Sequence, residues 1–297
     1  MLVEQNGLKV KQWQDHKWLV IETAKLARCV EFINSPRFSE FDGVIVSKDL
    51  GFTSNALDFI EQTLGVSSVT ISDHFDDLSH LYSLKHLRTL HLAENNAVID
   101  VSKFEVLEEF GFDWNAKVLG LESCRRLRRL IIGEFASKDK RIAALPPLPS
   151  LLNLTIVKSN IVDLVGMDRF PSLTDLNLSY MGELVDIEGI LGCNLLKSAV
   201  FEKCRKIGNH DVVQGLEKLR VLKFNDCGSM MSISFIGRMK ALETFAFAET
   251  NVVDGDMRPC LKLKHAGFSD HKHFSHTFAE IQKQMQSAQP SIDPASP

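Results

Sequence analysis

The sequence predicts an α/β solenoid. One short parallel strand per repeat lines one side, and short 3-10 or α segments return the chain along the other. Three observations carry this expectation. Leu87-x-x-Leu90-x-Leu92-x-x-Asn95 recurs as Leu107-x-x-Phe110-x-Phe112-x-x-Asn115 and as Leu219-x-x-Leu222-x-Phe224-x-x-Cys227. Eleven central apolar pairs, from Val44/Val46 to Ala266/Phe268, follow one another at steps of 20 to 25 residues, and self-similarity at that period marks stacked repeats. Finally, about ten residues separate one strand pattern from the next, apolar at roughly every third position, which suits 3-10 turns better than long helices.

At 297 residues and 44% apolar content the chain can bury a large core, which a solenoid lays down as one stripe. The 34 basic and 38 acidic residues leave a net charge of −4, without the basic excess expected of a nucleic-acid binder. No run approaches the roughly 18 apolar residues that span a bilayer, and the first eleven residues have no apolar leader core. Six cysteines without a CxxC pair, several at inward repeat positions, read as free core thiols in a reducing cytoplasm. The expected partner is therefore another protein, with no nucleic acid, membrane or cofactor.

Residues 1–42 are the least repetitive and are expected to form an N-terminal cap, because a solenoid begins with an open core end and an unpaired strand edge. Gln12 to Glu22 reads as one or two strands, with Trp13 and Trp18 covering the core end, and Pro36 stops any helix before it. The repeats occupy 43–270. In each, alternation such as Leu90, His91, Leu92, Ala93 predicts a strand with one face buried. Asn95, Asn115, Cys204 and Cys227 follow the strand and point inward, where they can satisfy backbone groups of the turn. Asp100, Asp163, Asp186 and Asp254 recur early in the outer segment, where a short acid caps the free N–H groups of the next turn. An insertion follows Glu134, and residues 208–214 break the outer-wall pattern. Residues 271–288 are expected to form a C-terminal cap with a short helix opened by the capping box Thr277-x-x-Glu280, and 289–297 a disordered tail.

These residues resemble the leucine-rich repeat family over about 41–268. The Asn160-Ile161-Val162-Asp163-Leu164 pattern is similar to the 22-residue, internalin-like class. The resemblance implies a curved parallel β-sheet whose concave face binds another protein.

The candidate binding residues follow from the register. His91, Asp113, Arg129, Asn177, Glu202, Lys223 and Asn225 belong to the outward set of the strands, and Trp114, Lys158 and Tyr180 to a rim column just beyond them. Trp114 and Tyr180 stand three repeats apart, about 14 Å at a strand spacing near 4.8 Å, and large aromatics among charges suit interface hot spots. No convergence of titratable groups into an active site is read from this face. Arg88, Glu108 and Arg128, then Arg220, Glu243 and Lys264, occupy equivalent positions and read as self-neutralising ladders. A preformed face suits an inhibitor, an immunity-type neutraliser of a toxin, or an adaptor. The alternative is a metal- or small-ligand sensor using His271, His273 and His276, with Asp270 behind them.

Overall fold

A computed structural model describes residues 1–63 and 65–288, so the expected tail at 289–297 lies outside it. The chain forms two compact units. The first is Met1–Glu134 with Pro146–Leu151, and the second is Phe135–Leu145 with the described residues from Leu152 onward.

The first unit opens with β1 (Leu2–Gln5), β2 (Leu8–Trp13) and β3 (His16–Ile21), paired antiparallel. Asn6 and Gly7, both at positive φ, make the two-residue turn between β1 and β2, the conformation a tight hairpin needs. Trp13 and Trp18 do not close the core end as expected. Trp13 is 63% exposed and Trp18, half-buried, lies 5.6 Å from the His16 ring. Period-two alternation explains this, since Leu8 and Val10 point inward and so place Trp13 outward. Leu19, Val20 and Ile21 complete the buried set. α1 (Leu26–Ile33) ends before Pro36, which starts a 3-10 turn at Pro36–Glu40.

From β3 onward the pairing turns parallel, through β4 (Gly43–Val46), β5 (Ser68–Ile71) and β6 (Thr89–Leu92). Behind the sheet, β7 (Ile99–Asp100) later pairs with β9 (Val118–Leu119). β8 (Glu109–Asp113) and β10 (Arg129–Phe135) extend the sheet. The register aligns the apolar pairs rung on rung, with Val69 against Leu90, Leu90 against Phe110, and Phe110 against Leu130. Such alignment is forced, because a slip of one residue would turn every apolar side chain to solvent.

The second unit repeats the plan. β11 (Asn153–Ser159), β12 (Asp175–Ser179), β13 (Ser198–Glu202), β14 (Val221–Asn225), β15 (Thr244–Phe247) and β16 (His265–Phe268) pair in parallel order. The outer wall is 3-10, at Met167–Arg169, Glu188–Gly192, His210–Gly215, Ser234–Arg238 and Arg258–Lys262. The stretch 208–214 that broke the sequence pattern leads into the 3-10 turn His210–Gly215, which buries His210. α2 (Phe278–Ala288) opens on the expected capping box. Thr277 N–H donates to Glu280 Oε2 at 2.8 Å, and Glu280 N–H returns to Thr277 Oγ1 at 3.3 Å. Its Ile281 and Met285 are buried.

The inward position after each strand does what its chemistry allows. Asn95 Nδ2 donates to the Asp73 carbonyl at 3.1 Å, Cys204 Sγ to Leu178 at 3.5 Å, and Cys227 Sγ to Phe201 at 3.6 Å. In the next repeat Thr250 takes the same place. Its Oγ1 donates to the Phe224 carbonyl at 2.6 Å and accepts the Cys227 N–H at 2.9 Å. A buried group stripped of its partner loses its full desolvation compensation, so Thr250→Val is expected to cost about 1–3 kcal/mol. Thermal melts should place Thr250→Ser close to wild type and Thr250→Val several degrees lower. Equal melts for both would rule out the ladder as the source of stability.

Candidate functional site

Each sheet buries one face and leaves the other open. In the first unit the open face carries His91 on β6, Glu109 and Asp113 on β8, and Arg129 on β10. His91 Nε2 lies 2.9 Å from Glu109 Oε1, and Arg129 Nε lies 3.4 Å from Glu109 Oε2. Titratable groups therefore do converge here, which the sequence reading did not foresee. The His91 hydrogen bond, outweighing desolvation, holds the Glu109 carboxyl below its usual range.

Two glycines make the convergence possible. A Cβ at Gly111, opposite His91 in the register, would fall 2.9 Å from the His91 ring. A Cβ at Gly133 would collide with Asp113 Oδ1. Both side chains thus lie over the neighbouring strand because that strand has none at this point. Asp113 Oδ2 accepts the Glu94 N–H at 2.8 Å, so its carboxylate organises the rim as well as facing outward. Trp114 is half-buried, with its ring 6.1 Å from that of Phe112.

In the second unit the open face carries Asn177, Glu202, Lys223 and Asn225. Lys223 on β14 pairs in register with Val200 and Ala246, is half-buried, and has neither hydrogen bond nor ion pair among the described residues. Glu202, on the neighbouring strand, is likewise half-buried, and its carboxylate acts on Lys203 through charge alone. Asn177 Oδ1 accepts the Ser179 hydroxyl at 3.0 Å, and Asn225 Oδ1 accepts the Ala248 N–H at 3.1 Å. Asn225 is therefore partly committed to its own fold.

The rim column has a backbone signature. Lys158, Tyr180, Lys203, Asp226 and Glu249 all sit at φ between 49° and 60°, a left-handed conformation costly to residues with a Cβ. It persists because each turn is tied to its neighbour. Tyr180 N–H donates to Glu202 O at 2.8 Å, Lys203 N–H to Asn225 O at 2.9 Å, and Asp226 N–H to Ala248 O at 2.8 Å. Two of these side chains meet directly. Lys203 Nζ donates to Tyr180 Oη at 2.9 Å and stands 4.4 Å from its ring centroid. Arg205 grips Asp226 with two bonds of 2.8 and 2.6 Å, which holds that carboxyl below its usual range. Tyr180 remains 46% exposed. Lys203 occupies the same rim position in its repeat as Trp114, Lys158 and Tyr180, whereas Arg205, two residues further on, was not singled out from sequence.

Other sequence features resolve into structure. The acid of each outer segment accepts the N–H two residues on: Asp100 from Ser102, Asp163 from Val165, Asp186 from Glu188 and Asp254 from Asp256. Arg88 pairs with Glu108 at 2.5 Å, but Arg128 turns to the Ser150 carbonyl, so that ladder is shorter than expected. All six cysteines are free and buried, and burial pushes Cys124, Cys193 and Cys260 up to about 12. Of the C-terminal histidines, His273 Nε2 meets the Val252 carbonyl at 2.9 Å and His276 Nδ1 the Ser275 hydroxyl at 2.9 Å. The His271 ring lies tilted against Phe274 with centroids 4.9 Å apart, and Asp270 accepts the Phe278 N–H. Among the described residues no three His, Cys, Asp or Glu side chains are grouped to hold a metal ion.

TLR13, in a complex with ssRNA13, superposes with a TM-score of 0.53 at 17% identity, over 82% of this chain and 39% of that one. This is the leucine-rich repeat fold. An internalin (InlF) of Listeria monocytogenes str. 4b F2365 gives a TM-score of 0.48 at 15% identity, over 77% of this chain and 74% of that one. A leucine-rich repeat protein of Leptospira interrogans gives 0.42 at 13%, over 77% and 67%. No family model and no curated protein matches the sequence. Among the described residues no helix is long and apolar enough to cross a membrane.

Proposed function

We propose that this leucine-rich repeat chain is a non-enzymatic protein-interaction module that binds one partner protein on the open face of its sheet. The observation that carries the reading is Lys223. Lys223 is a half-buried residue in register between Val200 and Ala246, and its ammonium, without a counter-ion of its own among the described residues, is a charge the fold leaves unanswered. A complementary carboxylate on a partner would answer it, and charges so placed fix register and partner choice. Tyr180, at the rim two strands away, supplies an exposed aromatic anchor of the kind that dominates interface energetics. On the first unit's face, His91 with Arg129 and the half-buried Trp114 play the corresponding parts. The absence of a catalytic role is supported by His91, Glu109 and Arg129 bonding one another, and by burial that keeps the Cys124, Cys193 and Cys260 thiols protonated. Six free buried thiols also favour a reducing, cytoplasmic compartment. A rigid preformed face suits a dedicated inhibitor, such as an immunity-type neutraliser of a toxin, ahead of an adaptor.

The test is affinity capture from the native source, comparing wild type with Tyr180→Ala/Lys223→Glu and, separately, with Trp114→Ala. One protein recovered by wild type, and at least tenfold less by the first variant with its melting unchanged, is the expected outcome. Equal recovery by both folded variants would remove the sheet face as the binding surface.

A further inference from the structure

The ladder Arg220, Glu243, Lys264 is not neutral once its surroundings are counted. These residues precede β14, β15 and β16, and their backbones are tied in a row that starts one repeat earlier. Arg220 N–H donates to Lys197 O at 2.8 Å, Glu243 N–H to Arg220 O at 2.9 Å, and Lys264 N–H to Glu243 O at 2.9 Å. Glu243 is shared between Arg220 and Lys264, the latter at 3.3 Å. Around this row lies a cleft of about 550 Å³, lined by six basic side chains and two acidic ones. Lys197, Lys218, Lys240 and Lys262 have no ion pair among the described residues. That is a local surplus of four positive charges in a chain whose net charge is −4.

Like charges gathered without counter-ions repel one another, and desolvation by itself draws the Lys262 ammonium below its usual range. An anion in the cleft would relieve both penalties. The row runs across four successive strands, about 14 Å at a spacing near 4.8 Å. A single small anion would meet only one or two of these lysines. An extended peptide advances about 3.4 Å per residue, so alternate side chains stand roughly 7 Å apart and a segment of four or five residues spans the row. No aromatic side chain lines the cleft, so it lacks the stacking platform that single-stranded nucleic acids use.

We infer that this rim cleft, at the entry to β13–β16, is a docking site for an acidic, Asp/Glu-rich extended segment of a partner protein. The inference rests on the reading of the chain as a protein-interaction module, but it places a second contact away from the open sheet face. Its lysines would act chiefly by steering and by charge neutralisation, so binding through them is salt-sensitive.

The test uses the full chain and a fluorescein-labelled octaglutamate peptide, followed by fluorescence anisotropy. Saturable binding in 50 mM NaCl is expected, weakened at least tenfold in 300 mM NaCl and at least tenfold by Lys218→Glu/Lys240→Glu. Both side chains are exposed, and circular dichroism melts should confirm that this variant folds. Lys223→Glu, on the sheet face, should leave peptide binding within twofold of wild type. Absence of peptide binding, or binding undiminished in the folded double variant, would overturn the inference. Tenfold tighter binding of a fluorescein-labelled dodecathymidylate would overturn it too, in favour of a phosphate polyanion. Because the probe is a defined peptide, a negative result here leaves the sheet-face reading standing, and a negative capture experiment leaves this one standing.

Discussion

Phe224→Ala is expected to destabilise the second unit by about 3–5 kcal/mol, the cost typical of truncating a fully buried aromatic ring. Phe224 has no solvent exposure. Its ring stacks on Phe201 at 5.0 Å and 19°, and the His210 ring meets it edge-on at 4.8 Å. Removing it opens a void between two repeats that are held rigid by their backbone ladders, so collapse around the site is limited. Because each repeat meets only its neighbours, the loss concentrates at the β13–β14–β15 interfaces, and unfolding should lose cooperativity there. Urea unfolding followed by circular dichroism is the measurement, with Phe224→Leu as the control that keeps most of the volume. A loss below about 1 kcal/mol for Phe224→Ala would mean that this stack is not a keystone of the unit.

The strands were legible because their signal is redundant. Every apolar pair read from the repeat, Val44/Val46 to Ala266/Phe268, lies in a strand. The rungs of the buried face follow from the same period. So did the inward Asn/Cys position and the four capping acids, since each is a local chemical requirement that recurs at a fixed offset. What escaped depends on side chains from different repeats meeting across the ladder. The His91–Glu109–Arg129 cluster exists only because Gly111 leaves room, a relation between residues 20 apart in sequence. The bond from Arg128 to Ser150 O, in place of a pairing with Glu108, turns on side-chain rotamers that periodicity does not specify. Trp13 failed for another reason. Hydrophobicity suggested the core, but the pleat of β2 had already committed that position to solvent. The surplus at Lys218, Lys240 and Lys262 was not read from the sequence, where only the neutral ladder stood out, because it takes their shared cleft to bring these lysines together.

His210 carries the second large effect, and its sign is set by burial. The ring is 3% exposed, and Nε2 has no hydrogen-bond partner among the described residues. Desolvation, only partly offset by Asp211, pushes the imidazole down to about 4. In the unfolded chain the same group titrates near 6.5. The folded pKa lies below the unfolded one, so between these values the unfolded state binds the extra proton and stability falls as the pH falls. The contribution is fully present above about pH 6.5 and is lost progressively toward pH 4, by about 2 kcal/mol at pH 5 and about 3 kcal/mol at pH 4. The ion-paired carboxylates Asp226 and Glu243, whose pKa values are lowered, also lose stability as they protonate, but below their ordinary range. Comparing pH 7.5 with pH 5 therefore leaves these carboxylates out, and the difference between wild type and a His210 variant isolates the buried ring. Urea midpoints for wild type should drop over that interval, while His210→Leu should hold nearly level and exceed wild type at pH 5. A His210→Leu variant with the wild-type pH profile would show that the buried ring is not the titrating group. The cost is intelligible from the fold, because the 3-10 turn His210–Gly215 packs its first residue against Phe224, where an imidazole fits as an edge-on ring only while it stays neutral.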